Sequence, residues 1–505
     1  MPLTPTEAYT ELITRCREAS VFGSVMSVLG WDQRTYMPQG GTQHRAGQLA
    51  LLAGMEHALT TAPRIGELLA CLESGPPPED STGVEAVNVR EIRRAYDRAV
   101  KLPRGLVEEL SKTTSQAYDV WVAARKENDF ETFRPWLEKI VGLVQQKADA
   151  LGWKASRYDA LLDGYEPGAT AASIQEVFTP LGRELSELVG RITTSGKRPP
   201  QRILHSEYPV DAQQEFCKEA SAAIGFDYGA GRLDVTTHPF CSGIGPGDTR
   251  LTTRYNPENL SDAFFGTLHE AGHGIYAQGL DAAHYGTPMG DAVGLGIHES
   301  QSRLWENFVG RSRPFWKFYM PRVRKFFPRA LGRVGLEEFY FAVNDAKPSF
   351  IRVEADEATY NLHIMLRFEL ERALLEGDLR AADVPGAWNE RFKKLLGLKV
   401  PDDARGCLQD VHWSGGGIGY FPTYTLGNLY AAQFFDAARS ALDGLEEQLA
   451  QGEFGPLKRW LNLKIHRQGM RYRSQSLCEI VTGRPLSHRH LMDHLEAKFG
   501  ALYEV

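Results

Sequence analysis

The segment His269-Glu270-Ala271-Gly272-His273 constrains this chain more than any other feature. Two histidines at i and i+4 fall on one face of a helix, so both imidazoles can reach one metal ion while the glutamate projects beside them toward an activated water. The spacing therefore predicts a helix that carries a zinc-type hydrolytic site. Upstream, Ser261-Asp262-Ala263-Phe264-Phe265-Gly266-Thr267-Leu268 predicts the start of that helix, with Ser261 or Asp262 as its cap and apolar residues at helical spacing behind it. Gly266, Gly272, Gly274 and Gly279 each cost up to about 1 kcal/mol of helix propensity relative to Ala. A helix that carries all four is predicted to lie packed tightly against other backbone.

A catalytic zinc usually takes three protein ligands and leaves a fourth position for water. The stretch Gly296-Ile297-His298-Glu299-Ser300-Gln301-Ser302-Arg303-Leu304-Trp305-Glu306-Asn307 predicts a second helix, with Glu299 as the carboxylate ligand. Glu306, seven residues on and on roughly the same face, and His298 compete with it; Glu299 is preferred.

Size and composition exclude several classes. By length alone, 505 residues suggest about three or four domains, although one large catalytic unit is also compatible. Hydrophobic residues at 42% and charged residues at 24% describe a globular chain with a large core. The net charge of -7 offers no basic patch for nucleic acid or an anionic membrane, so neither is expected as a partner. The opening Met1-Pro2-Leu3-Thr4-Pro5-Thr6-Glu7 is not a basic segment followed by an apolar run, and no stretch of 18 consecutive apolar residues occurs. A soluble, cytoplasmic protein is expected. Cys16, Cys71, Cys217, Cys241, Cys407 and Cys478 form no C-x-x-C pair and read as reduced thiols.

Most of the chain reads as helix. Apolar residues recur at three- and four-residue spacing over 5–20, 84–101, 105–126, 130–152, 173–193, 210–224, 303–334, 357–375 and 428–450. Breaks fall at Gly75-Pro76-Pro77-Pro78, at Gly196-Lys197-Arg198-Pro199-Pro200 and at Ser414-Gly415-Gly416-Gly417. From Leu233 to Tyr255 the pattern alternates around Gly243-Ile244-Gly245-Pro246-Gly247-Asp248, which predicts a β-hairpin just before the metal helix. A strand there could take an extended peptide by strand addition, which points to a peptide substrate.

Six short motifs then occur in order: His238-Pro239-Phe240; Asp248-Thr249-Arg250-Leu251-Thr252; the H-E-x-x-H pentapeptide; His298-Glu299-Ser300-Gln301; Ile351-Arg352-Val353-Glu354-Ala355-Asp356; and Gly406-Cys407-Leu408-Gln409-Asp410-Val411-His412-Trp413. With Trp31-Asp32-Gln33 and Met37-Pro38, they make the chain resemble the carboxypeptidase Taq family of metallocarboxypeptidases over nearly its whole length. The resemblance implies a mainly α, elongated homodimer with a deep substrate groove, similar to neurolysin and angiotensin-converting enzyme, and a small sheet beside the metal helix. It implies one integrated peptidase unit over 1–505, with helices of 1–100 walling the groove and a catalytic core segment over 230–430. It also implies metal ligation by His269, His273 and Glu299, with Glu270 as catalytic base. Zinc is the implied metal and cobalt a possible substitute. The implied activity is release of single C-terminal amino acids with broad specificity. An oligopeptidase of the same metal class is the alternative, and a non-catalytic peptide-binding protein a weaker one.

Peptide hydrolysis also needs a donor to the tetrahedral oxyanion besides the metal. Tyr420, in the glycine-rich loop after His412-Trp413, is the first candidate, His412 the second and Tyr424 the third. An exopeptidase must bind a free carboxylate, for which an arginine fork is best suited. Arg352 is preferred, held by Asp356 at i+4, and Arg250 follows, with an ion pair to Asp248 as its competing role. His238, extended before a proline, is a further substrate-binding candidate.

Overall fold

Apolar residues at helical spacing produce helices along most of the chain in the computed structural model, which describes residues 3–505. The first helix, Pro5–Thr35, shows the local logic: Thr4 and Glu7 form a reciprocal capping box, and Pro5 occupies the first turn, where its missing N–H costs nothing. Among the described residues no helix is long and apolar enough to cross a membrane. All six cysteines are free thiols.

The chain divides into two compact units. One comprises Met1–Val100, Pro200–Val343 and Phe434–Pro485. Its N-terminal helices are Pro5–Thr35, Thr42–Thr60, Pro63–Glu73 and Val84–Val100, and the first, third and fourth gather a small core of Ala8, Leu12, Ile65, Leu68, Leu69 and Ile92. Its sheet is richer than the predicted hairpin. Strands β2 (Cys241–Gly245) and β3 (Asp248–Thr253) pair antiparallel across a turn in which Gly247 takes φ 82°, and β1 (Gly231–Val235) joins the other side of β3 in parallel. The sheet order is thus β1-β3-β2, because the loop of residues 236–240 carries the chain from one edge to the other.

The single helix expected over 303–334 is interrupted. Leu295–Arg303 runs into a π-helical turn, Leu304–Gly310, and Ser312 caps a new helix, Arg313–Phe326, by accepting from the Phe315 amide. Such π turns widen the helix locally and recur at functional sites.

The other unit comprises Lys101–Pro199, Asn344–Gln433 and Leu486–Val505. Its central helix, Tyr360–Glu376, is buried on nearly every side, including Arg367 and Glu371. Sequence periodicity predicts its start at 357. The helix begins later because the Asp356 carboxylate accepts the amides of Ala358 and Thr359 and the Thr359 hydroxyl, which holds residues 357–359 in a turn ahead of it.

Candidate active site

The metal helix spans Leu260–Gly279, and Asn259, rather than Ser261 or Asp262, caps it, its side chain accepting the Ser261 amide at 2.8 Å. Gly272 and Gly274 explain why this helix carries glycine. A methyl on Gly272 would stand 2.5 Å from the Gln301 carbonyl oxygen and 2.6 Å from Ser302 Cα, so the two helix backbones touch there. A methyl on Gly274 would meet Phe226 at 2.7 Å and Leu251 of β3 at 2.9 Å. This close approach sets helix Leu295–Arg303 beside the histidines.

As a result His269, His273 and Glu299 each offer a ligand atom, all within 4.8 Å of one another. Glu299 Oε2 lies 3.4 Å from His273 Nε2 and 3.7 Å from His269 Nε2. Two imidazoles and one carboxylate converging from two helices fit a divalent cation.

The outer nitrogens of both rings are engaged. His269 Nδ1 contacts Glu306 Oε2 at 2.9 Å, and His273 Nδ1 contacts His298 Nδ1 at 2.6 Å. Arg303 ties the acidic groups together, donating from Nε to Glu299 Oε1 at 2.7 Å and from Nη1 to Glu306 at 3.3 Å. Burial would raise the Glu299 carboxyl, but Arg303 and the histidines hold it well below its usual range, and Glu306 is lowered to about 2 in the same way. Glu270 moves oppositely: burial raises its carboxyl, and the two histidines only partly offset this. Beside it the Cys241 thiol is pushed up by burial and by the Glu270 charge.

Arg250 has its fork closed. Nε and Nη2 donate to the two Asp248 oxygens at 2.8 and 2.7 Å, and the guanidinium stacks 4.3 Å from the Trp31 ring centre. His238 is exposed in the loop between β1 and β2.

The remaining candidates belong to the other unit. Arg352, 5% exposed, does not pair with Asp356: its Nε and Nη2 donate to Asp410 and its Nη1 to the Tyr360 hydroxyl at 2.9 Å. Asp356 is occupied by the amides of Lys347, Ala358 and Thr359, so the expected i,i+4 pair does not form. Arg367, fully buried, also donates to Asp410, from Nε at 2.6 Å. Burial would raise the Asp410 carboxyl, yet the two guanidiniums hold it far below its usual range. His412 stacks on Tyr420 with ring centres 5.5 Å apart, and Tyr420 meets Tyr165 and Tyr424 edge-on. Burial, with Arg352 and Arg367 nearby, lowers His412 to about 4, and its buried Nδ1 has no hydrogen-bond partner among the described residues.

The profile of the carboxypeptidase Taq (M32) metallopeptidases matches residues 11–499. The chain belongs to the carboxypeptidase Taq (M32) family. Thermostable carboxypeptidase 1 of Thermus thermophilus is 49% identical to it, over 99% of this chain and 100% of that protein. Carboxypeptidase 1 of Bacillus subtilis is 36% identical, over 98% of each. The crystal structure of an M32 carboxypeptidase from Deinococcus radiodurans R1 superposes with a TM-score of 0.95 at 40% identity, covering 99% of this chain and 100% of that one.

This M32 protein is thus a metallocarboxypeptidase, a peptide hydrolase that works with a divalent metal. Within the M32 chain, Glu306 and His298, weighed from sequence as rival ligands, sit on the outer nitrogens of the two histidines. Sequence reading missed Arg367 and Glu371. Their one visible signal was charge at the centre of an otherwise apolar helix, Tyr360–Glu376.

Proposed function

We propose that this enzyme is a zinc carboxypeptidase that removes single C-terminal residues with broad specificity, with His269, His273 and Glu299 holding the metal and Glu270 as its base. The convergence of the three ligand atoms beside a buried glutamate supports this reading most strongly. Zinc, when bound, polarises the scissile carbonyl and lowers the pKa of water toward about 7. Glu270 takes the proton from the attacking water and returns it to the departing amine nitrogen, and a carboxyl raised by burial is suited to both transfers. Glu306 and His298 hold the imidazole rings in orientation from the far side. Cobalt is a chemically reasonable substitute for the same nitrogen and oxygen donors.

Tyr420 and His412 are proposed as donors to the oxyanion, supported by the stacked ring pair and by the His412 Nδ1, which has no hydrogen-bond partner among the described residues. Arg352 is proposed as the seat of the substrate carboxylate. Two guanidiniums around one Asp410 carboxylate leave one positive charge that a second carboxylate would neutralise. Arg250, with its fork on Asp248, and exposed His238 follow as weaker substrate contacts. Self-association as a homodimer is proposed as well. Helices Pro5–Thr35 and Thr42–Thr60 expose Val21, Val25, Leu51, Met55 and Leu59 to solvent, and the second of them buries no residue.

Mass spectrometry of peptide digests, with and without chelator, tests the activity. A ladder of single C-terminal losses that the chelator abolishes and Glu270→Gln lacks is expected. Internal fragments would make the enzyme an oligopeptidase, and turnover unchanged by chelator would remove the metal from the reaction. Sedimentation of the wild type against Leu51→Glu tests the dimer.

A further inference from the structure

We propose that Glu371 is the positioning residue of the His412–Tyr420 loop, holding it from both ends through Trp413 and Gly419. The inference rests on the reading of Tyr420 and His412 as donors to the substrate. Glu371 lies on the central helix Tyr360–Glu376 with no exposure to solvent and takes part in none of the chemistry assigned above. Its carboxylate accepts three hydrogen bonds. Trp413 Nε1 donates to Oε1 at 2.9 Å, and the Gly419 amide and the Tyr158 hydroxyl each donate to Oε2 at 3.0 Å. Trp413 directly follows His412, and Gly419 directly precedes Tyr420, so one side chain grips both flanks of the segment that presents the two donors.

The loop between these grips is made to be held. It closes on itself through the His412 carbonyl, which accepts the amides of Gly415 and Gly417. Gly419 adopts φ 93°, and a methyl there would press within 3.1 Å of the Leu162 amide nitrogen. Both features favour glycine at 419, whose amide donates to Glu371. The grip also needs both oxygens to accept. A glutamine has one carbonyl oxygen and can satisfy one flank only, while its NH2 group would face a donor on the other. Burial without a contacting cation raises the Glu371 carboxyl to about 7, so the three-donor grip is complete in the ionised form, above that value, and the kinetics and exchange are read there.

The test compares wild type, Glu371→Gln and Tyr420→Phe, alone and combined, by steady-state kinetics and by hydrogen exchange over residues 413–420. In Glu371→Gln, exchange in that segment should rise by about tenfold or more while other segments stay as in wild type. The kcat should fall on the order of tenfold to a hundredfold, because a misplacement of about 1 Å suffices for that, with KM within about threefold. In the Tyr420→Phe background the additional loss should largely vanish. Unchanged exchange in the segment overturns the proposal. Raised exchange with unchanged kcat leaves the grip standing and removes Tyr420 and His412 from the reaction. If Glu371→Gln does not fold, Trp413→Phe frees one flank alone, and unchanged exchange and kcat there overturn the proposal equally.

Discussion

Glu306 holds His269 from behind: its Oε2 lies 2.9 Å from His269 Nδ1, while His269 Nε2 faces Glu299. A carboxylate on the outer nitrogen fixes the ring and its tautomer and strengthens the inner nitrogen as a ligand. The π-helical turn Leu304–Gly310 widens the helix at the segment that carries Glu306.

Glu306→Ala should therefore weaken metal binding by about tenfold to a hundredfold and leave the three ligands in place. Competition with a chromophoric chelator reads this directly, and excess metal should restore much of the activity. Glu299→Ala should not be rescued by excess metal. Equal metal affinity in Glu306→Ala and wild type would remove the orienting role.

Gly272→Ala places a methyl 2.5 Å from the Gln301 carbonyl, and both contacts are backbone that cannot swing aside. The helices must part, costing about 1–3 kcal/mol as overpacked sites do. Glu299 rides on the displaced helix, so metal affinity should fall with stability. Urea unfolding and metal titration on the same protein check the coupling. Gly54→Ala, in open surroundings, serves as the control.

Asp410 lies between Arg352 and Arg367, and removing its charge leaves two guanidiniums buried without a counterion. Asp410→Asn should destabilise the enzyme by about 3–5 kcal/mol, measured by denaturant unfolding. Arg352→Ala tests the carboxylate seat separately. Its kcat/KM should fall steeply for free peptides and little for C-terminally amidated ones. An equal fall for both would place the substrate carboxylate elsewhere.

Glu371 also leaves a signature in the pH dependence of stability. Its folded value, about 7, lies above the ordinary 4.5 because burial outweighs its bonds to Gly419, Trp413 and Tyr158 and the field of Arg367. The folded state thus holds this proton more tightly than the unfolded chain does. The associated stability is fully present below pH 4.5 and is lost as pH rises through 7. Against Glu371→Gln, which cannot titrate, the wild type should lose stability over that window by up to about 1.4 kcal/mol per pH unit. Denaturant midpoints at half-unit steps give the slope, and parallel curves for the two proteins would contradict it.

Much of this was legible in the residues. Helical spacing gave the main helices, although it ran the segment 303–334 together, because apolar residues continue through the π turn Leu304–Gly310 and past the Ser312 cap. The alternation after Leu233 showed strands but not that β1 would pair in parallel with β3, since parallel pairing joins strands that no short turn connects. At the site, Glu299, Glu306 and His298 were all visible as candidates, and spacing alone could not rank their final positions.

The sequence by itself determined a mainly helical metallopeptidase with two histidines on one helix face and a glutamate beside them, because i,i+4 spacing is local geometry that needs no partner. Only the tertiary structure decided what each charged side chain meets. Contact between the Gly272 and Gln301 backbones brought Glu299 to the histidines and left Glu306 and His298 behind them. Arg352 took Asp410 instead of nearby Asp356, and Glu371 took Trp413 and Gly419. Such partners lie tens of residues apart in the chain. Burial makes each of them obligatory, since a polar or charged group removed from water must find a partner wherever packing brings one.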